Sequence, residues 1–167
     1  PDNYKVILTK LDNGKEVDSR IVLELSQMFR AARKDDIYMQ VNEGYRSYHS
    51  QQKILDNRTD YYKSKGLFTI LARRYALNYV SAPGTSEHQL GLAVDIVGDY
   101  RYTTNQSAYR WLERNAYKYG FVKRYPKSKT SITHIKHEPW HYRYVGKKAA
   151  LKMHQKNLCL EEYVESL

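Results

Sequence analysis

The chain has 167 residues, the length of one ordinary domain with material for a real core; 41% are hydrophobic, and no run approaches the ~20 apolar residues of a membrane span. Its single cysteine, Cys159, excludes an internal disulfide and a cysteine-rich zinc site. A net charge of +10, from 28 basic and 18 acidic residues, favours an anionic partner, yet the basic residues are scattered and carry no nucleic-acid motif, so a solvated basic surface is the plainer reading.

In chain order, the start lacks an initiator Met and the apolar stretch of a signal peptide, and it reads as the beginning of a trimmed chain. "YKVILTKLDNG" predicts a short strand and a turn at Asn13-Gly14. Asp18 can cap a helix whose Ile21, Val22, Leu25, Met28, Phe29 and Ala32 fall on one stripe of 3.6-residue period. "IYMQV" is strand-like and leads into "NEGYRSYHSQQ", where Gly44 permits a tight bend before a polar helix. Residues 69–79 read as helix, stopped by the turn-rich "SAPGTSEH".

"LGLAVDIV" predicts a buried strand with Leu92, Val94 and Ile96 on one side and Asp95 on the other. A helix over 106–119 should end at Gly120 in a left-handed cap. "FVKRY" and "THIKHEPWHYRYV" then read as strands, followed by a helix over 147–156 and a short one after Cys159. The irregular order of strands and helices, without a β-α-β rhythm, predicts an α+β domain spanning residues 1–167, with helices packed around a small antiparallel sheet. Seventeen tyrosines suit a surface that grips a polar, rigid ligand, although many will serve core edges.

"HEPWH", residues 137–141, fits the H-E-x-x-H pattern of helical zinc peptidases. That pattern works because positions i and i+4 share a helix face, and Pro139 between the two histidines breaks the helix at a cost of ~3 kcal/mol. The following "WHYRYV" reads as strand. The remaining ligands must therefore come from elsewhere.

A buried strand that carries an inward Asp is a local conflict that tends to have a purpose. His88 stands seven residues before Asp95 in a loop, and His141 on a neighbouring strand could complete a two-His, one-carboxylate site, with Glu138 near enough to take a proton from a bound water. On spacing alone, His49, His134, His137 and His154 compete as ligands, Asp95 could merely cap a turn, and such a set also holds iron(II).

"GTSEHQLGLAVDI" and "HEPWHYRYVG" together resemble the VanY-type zinc D-alanyl-D-alanine carboxypeptidases, whose signature is S-x-H-x-x-G-x-A-x-D followed by E-x-W-H. "GYRSYHSQ" is similar to the family's G-Y-R-S-x-x-x-Q segment, and "RNAYKYGF" to a further one; the likeness runs from about Tyr4 to the C-terminal "LEEYV". The resemblance implies the Hedgehog/DD-peptidase fold and a Zn2+ held by His88, Asp95 and His141. It implies Glu138 as general base and proton carrier, and Arg46 as donor to the substrate carbonyl. Ser86, Gln51, Tyr45 and Trp140 would contact substrate, Trp140 chiefly by packing; the plainer roles are a turn residue for Ser86, a helix-surface amide for Gln51 and a surface ion pair for Arg46.

The implied activity is removal of the terminal D-Ala from peptidoglycan stem peptides or their precursors, by a monomer in the bacterial cell envelope outside the cytoplasm. Anionic cell-wall polymers are compatible partners, nucleic acid is not expected, and any signal or membrane anchor would precede residue 1. An L,D-carboxypeptidase, a D,D-dipeptidase and a non-catalytic wall-binding module are the alternatives. Three residues depart from the family pattern. Glu43 adds a charge near Arg46, to hold it or to alter substrate choice. His137 stands at a non-ligating place, and Cys159 should cap the last helix weakly.

Overall fold

The structure, a computed structural model, describes residues 5–167, so Tyr4, at the expected start of the first strand, lies outside it. Strand β1 (Leu8–Lys10) turns through Asn13-Gly14 and pairs antiparallel with β2 (Glu16–Asp18), a strand the sequence did not signal. The Asp18 carboxylate accepts from Arg20 N–H and caps a 3-10 turn, Ser19–Ile21, which runs into α1 (Val22–Lys34). Ile21, Leu25, Met28 and Ala32 of the predicted stripe are buried, with Val22 and Phe29 packed at its edge. Each of the larger side chains contributes ~1.5–3 kcal/mol on burial.

Strand β3 (Met39–Glu43) leads to α2 (Tyr48–Ser64), capped by Ser47, and then to α3 (Thr69–Leu77). Gly44 does not adopt left-handed backbone: a Cβ there would lie 2.2 Å from the carbonyl oxygen of Glu16. Close approach of two chain segments, rather than a tight bend, is what demands glycine at this position. After the loop come β4 (Ala93–Gly98) and α4 (Asn105–Asn115), followed by a 3-10 turn that ends at Gly120 with φ +87°, the expected left-handed cap.

Beyond β5 (Phe121–Tyr125) the structure departs from the expected long strand. Residues 133–137 join no strand: α5 (Thr130–Thr133) ends in a left-handed turn at His134, and β6 begins only at Glu138 (Glu138–Tyr144). The opening "THIKH" of the expected strand "THIKHEPWHYRYV" follows no strand alternation, and reading it together with "WHYRYV" ran the two together. Helices α6 (Lys147–Lys156) and α7 (Leu160–Glu165) close the chain. At the start of α7, Glu162 reaches back to the Cys159 N–H at 2.8 Å, so the cap rests on that carboxylate.

The main sheet has the order β3-β4-β6-β5, antiparallel throughout. One face, with Val41, Val94, Ile96 and Tyr142, packs against α1 and α4 in a core that includes Leu25, Met28, Trp111 and Leu112. A smaller cluster joins Val122 to Ala150 and Met153 of α6 and, at its edge, Leu160 and Tyr163 of α7. The helices and small antiparallel sheet expected from the sequence are thus present, and the sheet's other face is free to carry polar residues. Among the described residues, no helix is long and apolar enough to cross a membrane.

Candidate metal centre

Along β4 the side chains alternate: Val94 and Ile96 are fully buried in the core, and Asp95 faces the other way. Asp95 is the direct cross-strand partner of His141 in β6, and its Oδ1 lies 2.9 Å from His141 Nδ1. His88 arrives from the loop side, in the 3-10 turn Glu87–Leu90 that precedes β4. Its Nδ1–H donates to the Gly44 carbonyl at 2.7 Å, which leaves Nε2 3.6 Å from Asp95 Oδ1. Ligand atoms of His88, Asp95 and His141 all lie within 4.8 Å of one another.

These residues fit a small divalent cation. Zinc bonds of ~2.0–2.1 Å at tetrahedral angles space the ligand atoms by about 3.3 Å, and the observed 2.9 and 3.6 Å bracket that value. The electrostatics agree. Burial opposes the charge of Asp95, yet the hydrogen-bonding His141 and His88 hold its carboxyl well below the usual range. Burial likewise works against a proton on His141, while Asp95 and Glu87 raise its pKa to about 9. A pocket that pulls a proton onto a buried imidazole is one that attracts a cation.

Glu138 reaches the same place through a distortion. Residues 138 and 141 of a regular strand point to opposite faces. In the β5–β6 ladder, however, Lys123 pairs with Tyr142 and Tyr125 with Glu138, a step of two residues on β5 against four on β6. Pro139, with no N–H to give the ladder, lies inside this bulge. As a result Glu138 Oε2 comes within 3.8 Å of His141 Nδ1. Burial pushes the Glu138 carboxyl up, against the pull of the nearby His141.

A second bulge, in β3, places Glu43 opposite Asp95. Glu43 accepts from Arg46 Nη2 at 3.1 Å, so it holds the arginine, one of the two roles expected for it. Arg46 Nη1 donates to Gln51 Oε1 at 3.0 Å, and Gln51 Nε2 donates to the Ser81 carbonyl at 2.7 Å. Gln51 is thus no helix-surface amide: it is buried and ties α2 to the loop that follows α3.

Arg46, Gln51, His88, Asp95, Glu138 and His141 share a cleft of about 780 Å³ with Ser86 and Trp140 on its walls. Ser86 is buried, whereas Trp140 stands partly exposed on the cleft wall. Tyr45 is not among the lining residues; its N–H is bonded to the Glu16 carbonyl. The competing histidines fall outside the metal group. His134 lines the cleft but is exposed, and His137 is bonded to the Tyr125 carbonyl. His49 is exposed on α2, and His154 stacks on Tyr117. With His137 and His141 on and beside a strand, the helical H-E-x-x-H arrangement is absent.

Sequence reasoning gave no role to Glu87. Its carboxylate lies against His141, and Arg124 holds the other oxygen at 2.8 Å. Burial opposes its charge, but His141, Arg124 and Arg143 bring its pKa down to about 2. An acidic residue directly between Ser86 and His88 was the available signal.

Fold and centre together define the Hedgehog/DD-peptidase class of metal-binding domains. The family model for VanY, D-alanyl-D-alanine carboxypeptidase, matches residues 14–147. A D-alanyl-D-alanine carboxypeptidase of Enterococcus faecalis is 49% identical over 166 residues, covering 99% of this chain and 62% of that protein. The structure of VanYB in complex with D-alanine-D-alanine superposes with a TM-score of 0.92 at 49% identity, covering 99% of this chain and 91% of that one. A Zn(II) complex of a mutant vancomycin-resistance D,D-pentapeptidase VanY superposes with a TM-score of 0.90 at 49% identity, over 98% and 92% of the two chains. The chain belongs to the VanY family of D-alanyl-D-alanine carboxypeptidases.

Proposed function

We propose that residues 1–167 act as one zinc-dependent D-alanyl-D-alanine carboxypeptidase domain, removing the terminal D-Ala from peptidoglycan stem peptides or their precursors outside the cytoplasm. The observation that carries this reading is the convergence of His88, Asp95 and His141 beside Glu138 and Arg46 in one cleft. The relatives named above support it, one holding D-Ala-D-Ala and another Zn(II).

His88 Nε2, Asp95 Oδ1 and His141 Nδ1 would hold the ion. When bound, zinc polarises the scissile carbonyl and lowers the pKa of a water toward ~7. Glu138 takes a proton from the attacking water and, as the acid, gives it to the amine of the departing D-Ala. Burial raises the pKa of its carboxyl, which favours its taking up the proton it later returns. Arg46, oriented by Glu43 and Gln51, donates toward the carbonyl oxygen as that oxygen becomes negative. Ser86 and Trp140 flank the substrate.

The test is mass spectrometry of a muramyl pentapeptide ending in D-Ala-D-Ala, incubated with the protein. Loss of a single D-Ala is expected, abolished by a chelator and by Glu138→Ala. Loss of a dipeptide would make the protein a D,D-dipeptidase instead. An intact pentapeptide with a cleaved tetrapeptide would make it an L,D-carboxypeptidase. If a zinc-loaded protein cleaves none of these, the carboxypeptidase reading fails.

A further inference from the structure

Among the described residues, His141 Nε2 and Glu87 Oε2 are buried at the metal centre without a hydrogen-bond partner, as is Arg46 Nε in the same cleft. The first two face each other at 3.6 Å, just beyond hydrogen-bond distance. The other atoms of both groups are engaged, His141 Nδ1 with Asp95 and Glu87 Oε1 with Arg124.

Arg124 is itself held from behind. Its Nη1 and Nη2 form a two-pronged pair with the Glu161 carboxylate, at 3.0 and 2.7 Å, in the first turn of α7. A continuous chain of contacts therefore runs from α7 through Arg124 and Glu87 to His141. It begins beyond residue 147, where the family match stops.

We propose that Glu87 is the positioning residue for His141, that it takes up the His141 Nε2–H once a metal engages Nδ1, and that Arg124 and Glu161 of α7 hold it for this task. The inference rests on the metal reading given above. A neutral imidazole carries one N–H, so a metal on Nδ1 forces the proton onto Nε2. There the Glu87 Oε2 lone pair faces it. His88 already has the corresponding arrangement, with the Gly44 carbonyl as acceptor for Nδ1–H.

The charges are also matched. Asp95 and Glu87 offset a divalent cation, while Glu161 offsets Arg124 and weakens its repulsion of that cation. Outer carboxylates of this kind raise ligand basicity and fix ring orientation, and removing one typically costs ~10–100-fold in metal affinity.

The experiment is zinc titration against a competing chromophoric chelator for the wild type, Glu87→Gln, Glu87→Ala and Glu161→Gln, with amide NMR spectra to confirm folding. Affinity should fall ~10–100-fold for Glu87→Ala and less for Glu87→Gln, which keeps a neutral acceptor, and less again for Glu161→Gln. In the zinc-loaded wild type, imidazole ¹⁵N spectra should show the His141 proton on Nε2. That second readout stands even if a variant fails to fold. Wild-type zinc binding with unchanged affinity in both Glu87 variants, or a proton on Nδ1, would overturn the proposal alone. Failure of the wild type to bind zinc would remove the metal reading and this inference together.

Discussion

Asp95 and His141 are cross-strand partners on the face of the sheet turned away from α1 and α4, with Asp95 Oδ1 2.9 Å from His141 Nδ1. Their neighbours Val94 and Tyr142 are also partners and are buried on the opposite face. The pleat that packs the core thus sets two candidate metal ligands side by side, so that one register serves both the core and the candidate site. Replacing Asp95 by Asn keeps the shape and removes the charge. Asp95→Asn should lose zinc on dialysis, with an affinity drop exceeding the ~10–100-fold typical of outer-shell partners. Metal analysis beside a native-like circular dichroism spectrum checks this, and retained stoichiometric zinc would contradict it.

Glu138 is brought toward the ligands by the bulge at Pro139 but is not needed to complete the three-residue group. Glu138→Gln should therefore keep its zinc while kcat on a D-Ala-D-Ala peptide falls by ~10²–10⁴, the usual contribution of a positioned proton carrier. Equal losses of metal and activity would instead make Glu138 a ligand.

Gly44 has two tasks: it lets β3 pass the Glu16 carbonyl, and its own carbonyl orients His88. Gly44→Ala must push the two segments apart. We expect a loss of ~1–3 kcal/mol, as for overpacked interiors, read as a lower urea midpoint at unchanged m-value. Zinc affinity should fall with it, since the displaced carbonyl of residue 44 no longer holds His88 in place; a fully stable variant would show that the backbone shifts at no cost.

Glu162 is held down to about 2 by Lys129 and by the Cys159 N–H. A carboxyl whose folded pKa lies below its unfolded value stabilises the protein fully above the unfolded value of 4.5, and this contribution is lost as pH falls through about 2. Glu162→Gln should therefore have a lower urea midpoint than the wild type at pH 7, with the gap narrowing below pH 4.5. A gap independent of pH would assign the effect to packing of α7.

The α1 stripe, the Gly120 cap and β4 were legible in the sequence because each is governed by local periodicity or by one residue's backbone preference. Spacing alone left several histidines in competition as metal ligands; the set His88, Asp95 and His141 came from the resemblance to the family's motifs, while Pro139 was enough to reject the helical alternative. Less could be read where the deciding contact is distant in sequence. The role of Gly44 depends on Glu16, that of Gln51 on Ser81, and the exposure of Trp140 on the shape of the cleft. Each joins segments that no local pattern connects.

By itself, then, the sequence determined most of the element types and the polar character of the Asp95 side of β4, since alternation and residue chemistry are local properties, and it singled out the candidate ligands only through the family resemblance. Tertiary structure alone decided which ring nitrogen faces which carboxylate. It also set the two bulges that turn Glu43 and Glu138 toward the centre, and the path from Glu161 through Arg124 to Glu87. Those depend on strand register and on charges 37 residues apart along the chain, which meet only once the sheet has formed and α7 has docked.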